Sequence, residues 1–178
     1  MLILLGAAWL AWGAPFLWRI ARTDGRAHVV SNRRVHAGFW FQTAACAAAC
    51  LFRIPAASTP RVAAFAVLAP AAIALAWWST RSLGRQFAVH AGLYADHQLV
   101  RSGAYALVRH PIYASVLLMW LATAALITRW EAWLPLAAVL LIGTEIRVRG
   151  EDGLLARRFG KEFEEYRRAT RAYVPFVR

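Results

Sequence analysis

VRHPIYASVLLMWLATAALITRWEAWLPLAAVLLIGTEIRVRGED, residues 108–152, contains two apolar runs joined by a connection of only a few residues. The runs cover 112–128 and 131–147, and each approaches the length that an α-helix needs to cross a bilayer. The short connection around Arg129 forces two such helices to run antiparallel. The stretch therefore predicts a helical hairpin over 112–147, with both of its open ends on the same side of a membrane.

The composition of the whole chain indicates an integral membrane protein. Of the 178 residues, 60% are hydrophobic, above the roughly 45–50% that is usual in soluble domains. The chain also carries 21 Lys and Arg against 9 Asp and Glu, for a net charge of +12. This basic charge lies between apolar segments and not in one block. It therefore fits loops that face anionic lipid headgroups, and it does not support nucleic-acid binding.

The distribution of charge predicts five spanning helices, over 2–20, 36–54, 61–79, 112–128 and 131–147. With the N-terminus outside, the inward segments 19–35, 80–111 and the tail from 147 carry five, four and nine Lys and Arg, and the outward turns carry only Arg53, Arg61 and Arg129. The positive-inside rule then places the C-terminus in the cytoplasm. Since no basic residue precedes the first apolar run, we expect an uncleaved anchor and not a signal peptide.

The remaining segments complete an all-α bundle of one domain over 1–178. Three spans lie within 1–79, and the hairpin lies within 80–178. The small-residue run AACAAAC at 44–50 would let a neighbouring helix approach closely. After the fifth span, apolar residues recur at helical spacing between charged ones and predict an amphipathic helix over 151–170: Leu154, Leu155, Phe159, Phe163 and Tyr166.

The cysteines and histidines predict no metal site. Cys46 and Cys50 are four residues apart on one predicted helix, where a disulfide would be misaligned, so we interpret them as packing residues. The five histidines are scattered without the spacing of metal ligands.

Polar residues concentrate in two segments that the predicted topology brings to the same side, 80–113 and 145–178. Pro111 suits the first turn of a helix, whose free N–H groups would attract an anion. Arg109, just before it, adds a planar cationic fork for a carboxylate. In the second segment, the pairs Glu145 with Arg149 and Arg147 with Glu151 are four residues apart. They would either neutralise one another on a helix or hold a ligand.

These residues resemble the isoprenylcysteine carboxyl methyltransferase and phospholipid methyltransferase family of integral membrane enzymes. The family pattern is approximately G-x-Y-x-x-x-R-H-P-x-Y, then a hairpin, then R-x-E-E-x-x-L, then F-G-x-x-Y/F-x-x-Y and a late proline. It falls on Gly103, Tyr105, Arg109, His110, Pro111 and Tyr113; on Arg149, Glu151, Asp152 and Leu155; and on Phe159, Gly160, Phe163, Tyr166 and Pro175. The resemblance covers about 80–178, and it departs at Asp152, which is one methylene shorter than the family's glutamate.

The resemblance implies S-adenosylmethionine bound by the C-terminal half at the cytoplasmic ends of spans four and five, and a lipophilic acceptor that arrives from the bilayer. The implied catalytic residues are Arg109, Arg149 and Glu151. The implied cofactor-binding residues are Gly103, Tyr105, Arg109, His110, Pro111, Tyr113, Glu151, Asp152 and Tyr166. For a carboxylate acceptor, Arg149 or Arg147 would orient the substrate. An amine or phenol acceptor would require Glu151 or His110 to take a proton.

Two other functions stay open from the sequence. One is a membrane reductase of the steroid-reductase type, which would bind NADPH; the other is a small non-enzymatic transport or scaffold protein. The acceptor also stays open among an isoprenylcysteine-like carboxylate, a lipid amine and a thiol. We expect contact with membrane lipids and no obligate protein partner. The alanine- and arginine-rich composition favours a bacterial protein of the inner membrane.

Overall fold

The computed structural model describes residues 1–22, 30–31, 34–88 and 92–173, and these residues are mostly helical. Within these described ranges, six α-helices follow one another: α1 Leu2–Ile20, α2 Arg34–Leu51, α3 Thr59–Leu83, α4 Pro111–Ile127, α5 Trp133–Phe159 and α6 Lys161–Ala169. Short 3-10 turns lie at Gly84–Gln86, Gly103–Ala106 and Trp130–Ala132. Two strands of two residues each, β1 (Val30–Ser31) and β2 (Gly92–Leu93), pair antiparallel.

Helices α1 to α5 occupy the five apolar segments in the predicted order. Among the described residues, Leu2–Ile20 and Thr59–Gln86 are long and apolar enough to cross a membrane, while Val35–Leu51 and Pro111–Ile127 are apolar but shorter. The helical class is therefore confirmed. The crossing of a membrane by all five segments stays a prediction.

The C-terminal region differs from the predicted separate helix over 151–170. Helix α5 continues without a break through residue 147 to Phe159, and the chain turns at Gly160, whose φ of +53° favours glycine. The arginines, the two glutamates, the leucines and the alanine of 145–158 are good helix formers, so the change from apolar to polar residues does not end the helix. Glu151 and Asp152 consequently sit on a rigid extension of α5.

Close helix contacts hold α2 against α5. Gly38 and Gly143 face each other, and a Cβ built at Gly143 would lie 2.7 Å from the Gly38 carbonyl oxygen and 2.7 Å from the Cβ of Phe41. One face of the small-residue run also packs closely, because Ala45 is fully buried against Trp120 and Leu140. Small residues at these positions let the helix backbones approach.

The hairpin of α4 and α5 is antiparallel, as its short connection predicts. Trp120 shares a cluster with Leu140, and Tyr113 shares another with Val148 nearer the open end. This register brings the first residues of α4 beside the polar extension of α5. The two polar segments predicted to meet therefore do meet.

The close approach of α2 and α5 predicts that Gly143→Ala destabilises the protein by about 1–3 kcal/mol, because the added methyl group would meet backbone atoms. Thermal unfolding of the detergent-solubilised protein would measure this loss. Gly153→Ala is the matched control on the same helix, because a Cβ there meets nothing within 4 Å. Equal melting temperatures for the two variants would contradict the packing.

Candidate functional site

His110 lies between two carboxyl groups at the start of α4. It is the N-cap residue of that helix and is 5% exposed. Its Nε2 atom lies 2.8 Å from Oδ1 of Asp152, and its Nδ1 atom lies 3.5 Å from Oε2 of Glu151. The imidazole thus connects the N-terminus of α4 to the extension of α5.

The guanidinium group of Arg109 makes a second connection. Its Nη2 atom donates to Oδ2 of Asp152 at 3.2 Å. Its Nη1 atom donates to the carbonyl oxygen of Arg167 at 3.1 Å and to that of Thr170. Arg109 therefore ties α4, α5 and the end of α6 together.

The segment after α6 pairs with the chain that enters α4. The backbone N–H of Arg109 donates to the Arg171 carbonyl at 2.8 Å, and that of His110 donates to the Ala172 carbonyl at 2.7 Å. Two backbone N–H groups that lead into α4 are thereby satisfied by the tail. The segment after α6 therefore packs directly against the residues that enter α4.

Glu151 belongs to a second chain of contacts that includes Tyr113 and Arg147. The Tyr113 hydroxyl donates to Oε1 of Glu151 and accepts from Nε of Arg147 at 2.8 Å. The Arg147 guanidinium carbon also lies 5.1 Å from the centre of the Tyr113 ring. The phenol thus stands between the predicted Arg147 and Glu151 pair.

The charges around His110 determine its protonation. Burial favours the neutral imidazole, but the hydrogen bonds and charges of Asp152 and Glu151 outweigh it and raise the pKa of His110 from 6.5 to about 9. Burial also favours the neutral form of Asp152 and would raise its pKa, but the hydrogen bond and charge of His110, with Arg109, hold that pKa below its ordinary value. At neutral pH the pair is an imidazolium and a carboxylate.

A cavity of about 460 Å³ opens beside these residues, within the usual size range of small-molecule sites. Its polar lining groups, which we call the polar end, are Gln86, His97, Gln98, Tyr105, Arg109, His110, Tyr113, Arg147, Glu151 and Tyr166. Its lining residues on α1, α2 and the apolar part of α4, which we call the apolar arm, are Trp9, Trp12, Phe16, Ile20, Phe39, Gln42, Thr43, Cys46, Ile112 and Val116. The other lining residues are mostly apolar: Leu83, Phe87, Ala88, Gly92, Leu93, Leu99, Val100, Leu154 and Leu155. A single cavity thus has both charged and apolar walls.

Two buried polar atoms of cavity residues lack partners among the described residues. They are Nε of Arg109, a donor, and Oε1 of Gln86, an acceptor. Buried polar groups are almost always hydrogen-bonded in native proteins. Each atom has almost no accessible surface, so neither is itself exposed to the cavity.

Six of the predicted site residues line the cavity: Tyr105, Arg109, His110, Tyr113, Glu151 and Tyr166. Gly103, Pro111 and Asp152 lie behind it. Gly103 has φ +61°, and a Cβ there would collide with the Ser82 hydroxyl, so glycine serves the turn. Pro111 is buried in the first turn of α4, and Asp152 holds Arg109 and His110 from the far side. The motif's Pro175 lies outside the described residues.

Arg149 is the predicted catalytic residue whose placement differs most from expectation. Its side chain is 76% exposed, and its Nε atom donates to Oε2 of Glu145 at 3.1 Å. This is the neutralising pair of residues four apart that the sequence allowed. Arg147 lines the cavity and Arg149 does not, because two residues apart on a helix are turned about 200° from each other.

The residues of the apolar arm on α1 and α2 were not predicted, because the first two spans carry no family signature. Gln42 gave a local signal, as an amide within an apolar span. It is 6% exposed, and its Nε2 atom donates to the Thr144 hydroxyl at 3.0 Å. The role of Trp9 and Trp12 depends on tertiary packing, so spacing alone does not reveal it.

A fold of packed helices with a charged cavity at the open end of a hairpin is consistent with a membrane-associated enzyme. The model of the isoprenylcysteine carboxyl methyltransferase (ICMT) family matches residues 63–157, just over half of the chain, and the chain belongs to this family. The resemblance read from the motifs is confirmed.

Similar proteins with curated names are methyltransferases. The chain is 33% identical over 82 residues to the protein-S-isoprenylcysteine O-methyltransferase of Schizosaccharomyces pombe. The aligned residues make up 46% of this chain and 35% of that protein. It is 31% identical over 85 residues to a probable protein-S-isoprenylcysteine O-methyltransferase of Oryza sativa subsp. indica, covering 47% of this chain and 44% of that protein. It is 30% identical over 81 residues to protein-S-isoprenylcysteine O-methyltransferase B of Arabidopsis thaliana, covering 46% and 41%. The match thus spans less than half the length of each relative.

The raised pKa of His110 predicts a pH-dependent stability. The stabilisation is fully present below about pH 6.5, the unfolded pKa, and is lost as the pH rises through about 9. The loss is on the order of 3 kcal/mol. Unfolding of the detergent-solubilised protein between pH 6 and 10 would measure it, and His110→Gln should flatten the profile. The control His36→Gln, at an exposed position, should leave the profile unchanged; an unaltered slope in His110→Gln would refute the assignment.

Proposed function

We propose that this chain is a membrane-embedded methyltransferase that uses S-adenosylmethionine to methylate a lipophilic acceptor. The observation that carries the proposal is the single cavity, which joins Arg109, His110 and Glu151 to the apolar arm. A polar donor and a lipid acceptor need such adjoining environments. The activity named in the three relatives supports the same reaction class.

The residues of the polar end fit the groups of this cofactor. When bound, S-adenosylmethionine supplies an electrophilic methyl group on a sulfonium. Arg109 and the N-terminus of α4 would hold its carboxylate, because Arg109 lines the cavity beside the start of that helix. Glu151 would accept from its ammonium or ribose hydroxyl groups. Tyr105 and Tyr166 would form the wall, since the Tyr166 hydroxyl already donates to the Tyr105 carbonyl at 2.6 Å.

The acceptor atom determines which groups must act. A carboxylate acceptor needs no general base, so the protein's contribution is alignment and exclusion of water. Arg147 would orient such a carboxylate, because it lines the cavity between the polar end and the apolar arm. A lipid amine would have to lose a proton. His110 is protonated at neutral pH, so Glu151 would be the accepting group.

The topology is proposed to place this polar end at the cytoplasmic face. Helices α1 to α5 would cross the membrane with the N-terminus outside, and the extension of α5 with α6 would lie at the inner surface. The bias of Lys and Arg toward the inward segments supports this orientation. The apolar arm would then open between α1 and α2 to the bilayer.

Calorimetric titration of the detergent-purified protein with S-adenosylhomocysteine tests the cofactor. We expect saturable binding, and Glu151→Gln should weaken it by about 10- to 100-fold through loss of a charged hydrogen-bond acceptor. Arg149→Gln is the matched control on the same helix and should bind normally. NADPH should give no heat. Binding of NADPH without S-adenosylhomocysteine would favour the reductase, and binding of neither would refute both enzymes.

The positions of Arg147 and Arg149 predict that substituting them has different effects on the KM for the acceptor. With a prenylated cysteine derivative as acceptor, Arg147→Met should raise KM by about 10-fold or more, because a carboxylate would lose its charged partner. Arg149→Met should leave KM and kcat near the wild-type values, since Arg149 is exposed and paired with Glu145. A larger effect at Arg149 than at Arg147 would contradict the proposed orientation.

A further inference from the structure

Gln42 is the residue of the apolar arm whose hydrogen-bonding groups are not all paired among the described residues. The other polar groups there, among the described residues, are satisfied: the Trp9 and Trp12 indoles donate to Thr123 and Ser115, and the Thr43 hydroxyl donates to the Phe39 carbonyl. Gln42 uses its amide nitrogen on Thr144. Its carbonyl oxygen accepts no hydrogen bond from the described residues.

The orientation of the Gln42 amide follows from its neighbour. The Thr144 hydroxyl donates its proton to the Leu140 carbonyl at 2.9 Å. It can therefore only accept from Gln42, which requires the amide nitrogen to face Thr144. The Oε1 atom of Gln42 is then left as an acceptor at a residue that lines the cavity and is not sealed within the protein.

Gln42 lies at the junction between the polar end and the apolar arm. On α2 it is one helical turn beyond Gly38, which faces Arg147, and one turn corresponds to about 5–6 Å along the axis. On α5 its partner Thr144 is three residues before Arg147. Cys46, which also lines the arm, lies a further helical turn along α2. A ligand that extends from Arg147 into the arm therefore passes Gln42.

We propose that Gln42 is a specificity residue that accepts a hydrogen bond from an N–H or O–H group of the acceptor, next to the carboxylate held by Arg147. An acceptor without such a donor would leave a carbonyl oxygen unpaired in an apolar wall once water is displaced, which is unfavourable. The inference rests on the proposed methyltransferase function and adds to it a requirement for the acceptor's chemistry.

Two probes that differ in one group test this requirement. The first is N-acetyl-S-farnesylcysteine, with an amide N–H beside its carboxylate; the second is its analogue in which an ester oxygen replaces that N–H. Calorimetry would measure the binding of each to the wild-type protein saturated with S-adenosylhomocysteine. We expect the amide probe to bind about 3- to 10-fold more tightly.

Two variants test whether Gln42 causes the preference for the amide probe over the ester probe. In Gln42→Met, which is similar in size, the ratio of the two dissociation constants should fall to about one. Thr43→Val is the matched control, since it removes a hydroxyl from the neighbouring cavity position, and it should keep the wild-type ratio. Binding of S-adenosylhomocysteine reports the integrity of each variant.

The outcomes separate this inference from the proposed function. Failure of S-adenosylhomocysteine to bind the wild type would refute the function itself. If it binds, a wild-type ratio near one, binding of neither probe, or a preference that persists in Gln42→Met would each overturn the role of Gln42. The wild-type comparison does not depend on any variant folding.

Discussion

The contact of His110 with Asp152 and Glu151 is the interaction on which the site depends. It joins the first residue before α4 to the polar extension of α5, at the open end of the hairpin. A buried charged network of this kind is costly unless all of its members are paired. Here Arg109 completes the pairing on one side, and Tyr113 with Arg147 completes it on the other. The network thus fixes both helices and leaves one face of Arg109 and Glu151 to the cavity.

Much of the fold follows from hydropathy, and part of the site follows from the hairpin. Because the connection near Arg129 is short, the ends of the two apolar runs had to meet, and Arg109 and Glu151 do line one cavity. Hydropathy does not predict the extension of α5, because the rise in polarity after residue 147 resembles a helix boundary. The same residues are good helix formers, and they continue the helix to Phe159.

The exposed position of Arg149 has the same origin. On one continuous helix, residues 147 and 151 share a face, while 149 points away from both. Once α5 is recognised as continuous, spacing alone places Arg147 and Glu151 on one face of the helix. The role of Gln42 depends instead on the packing of α2 against α5, where Gly38 and Gly143 allow the close approach. A local pattern carries no information about that contact.

In the proposed function, one cavity receives a nucleoside thioether at its polar end and a lipid at its apolar arm. A structure of the protein with S-adenosylhomocysteine in a lipid environment tests this most directly. We predict that the ligand lies between Arg109 and Glu151, with its sulfur directed toward Arg147 and the apolar arm. Density for the ligand on the exposed face of Arg149, or outside the cavity, would contradict the account.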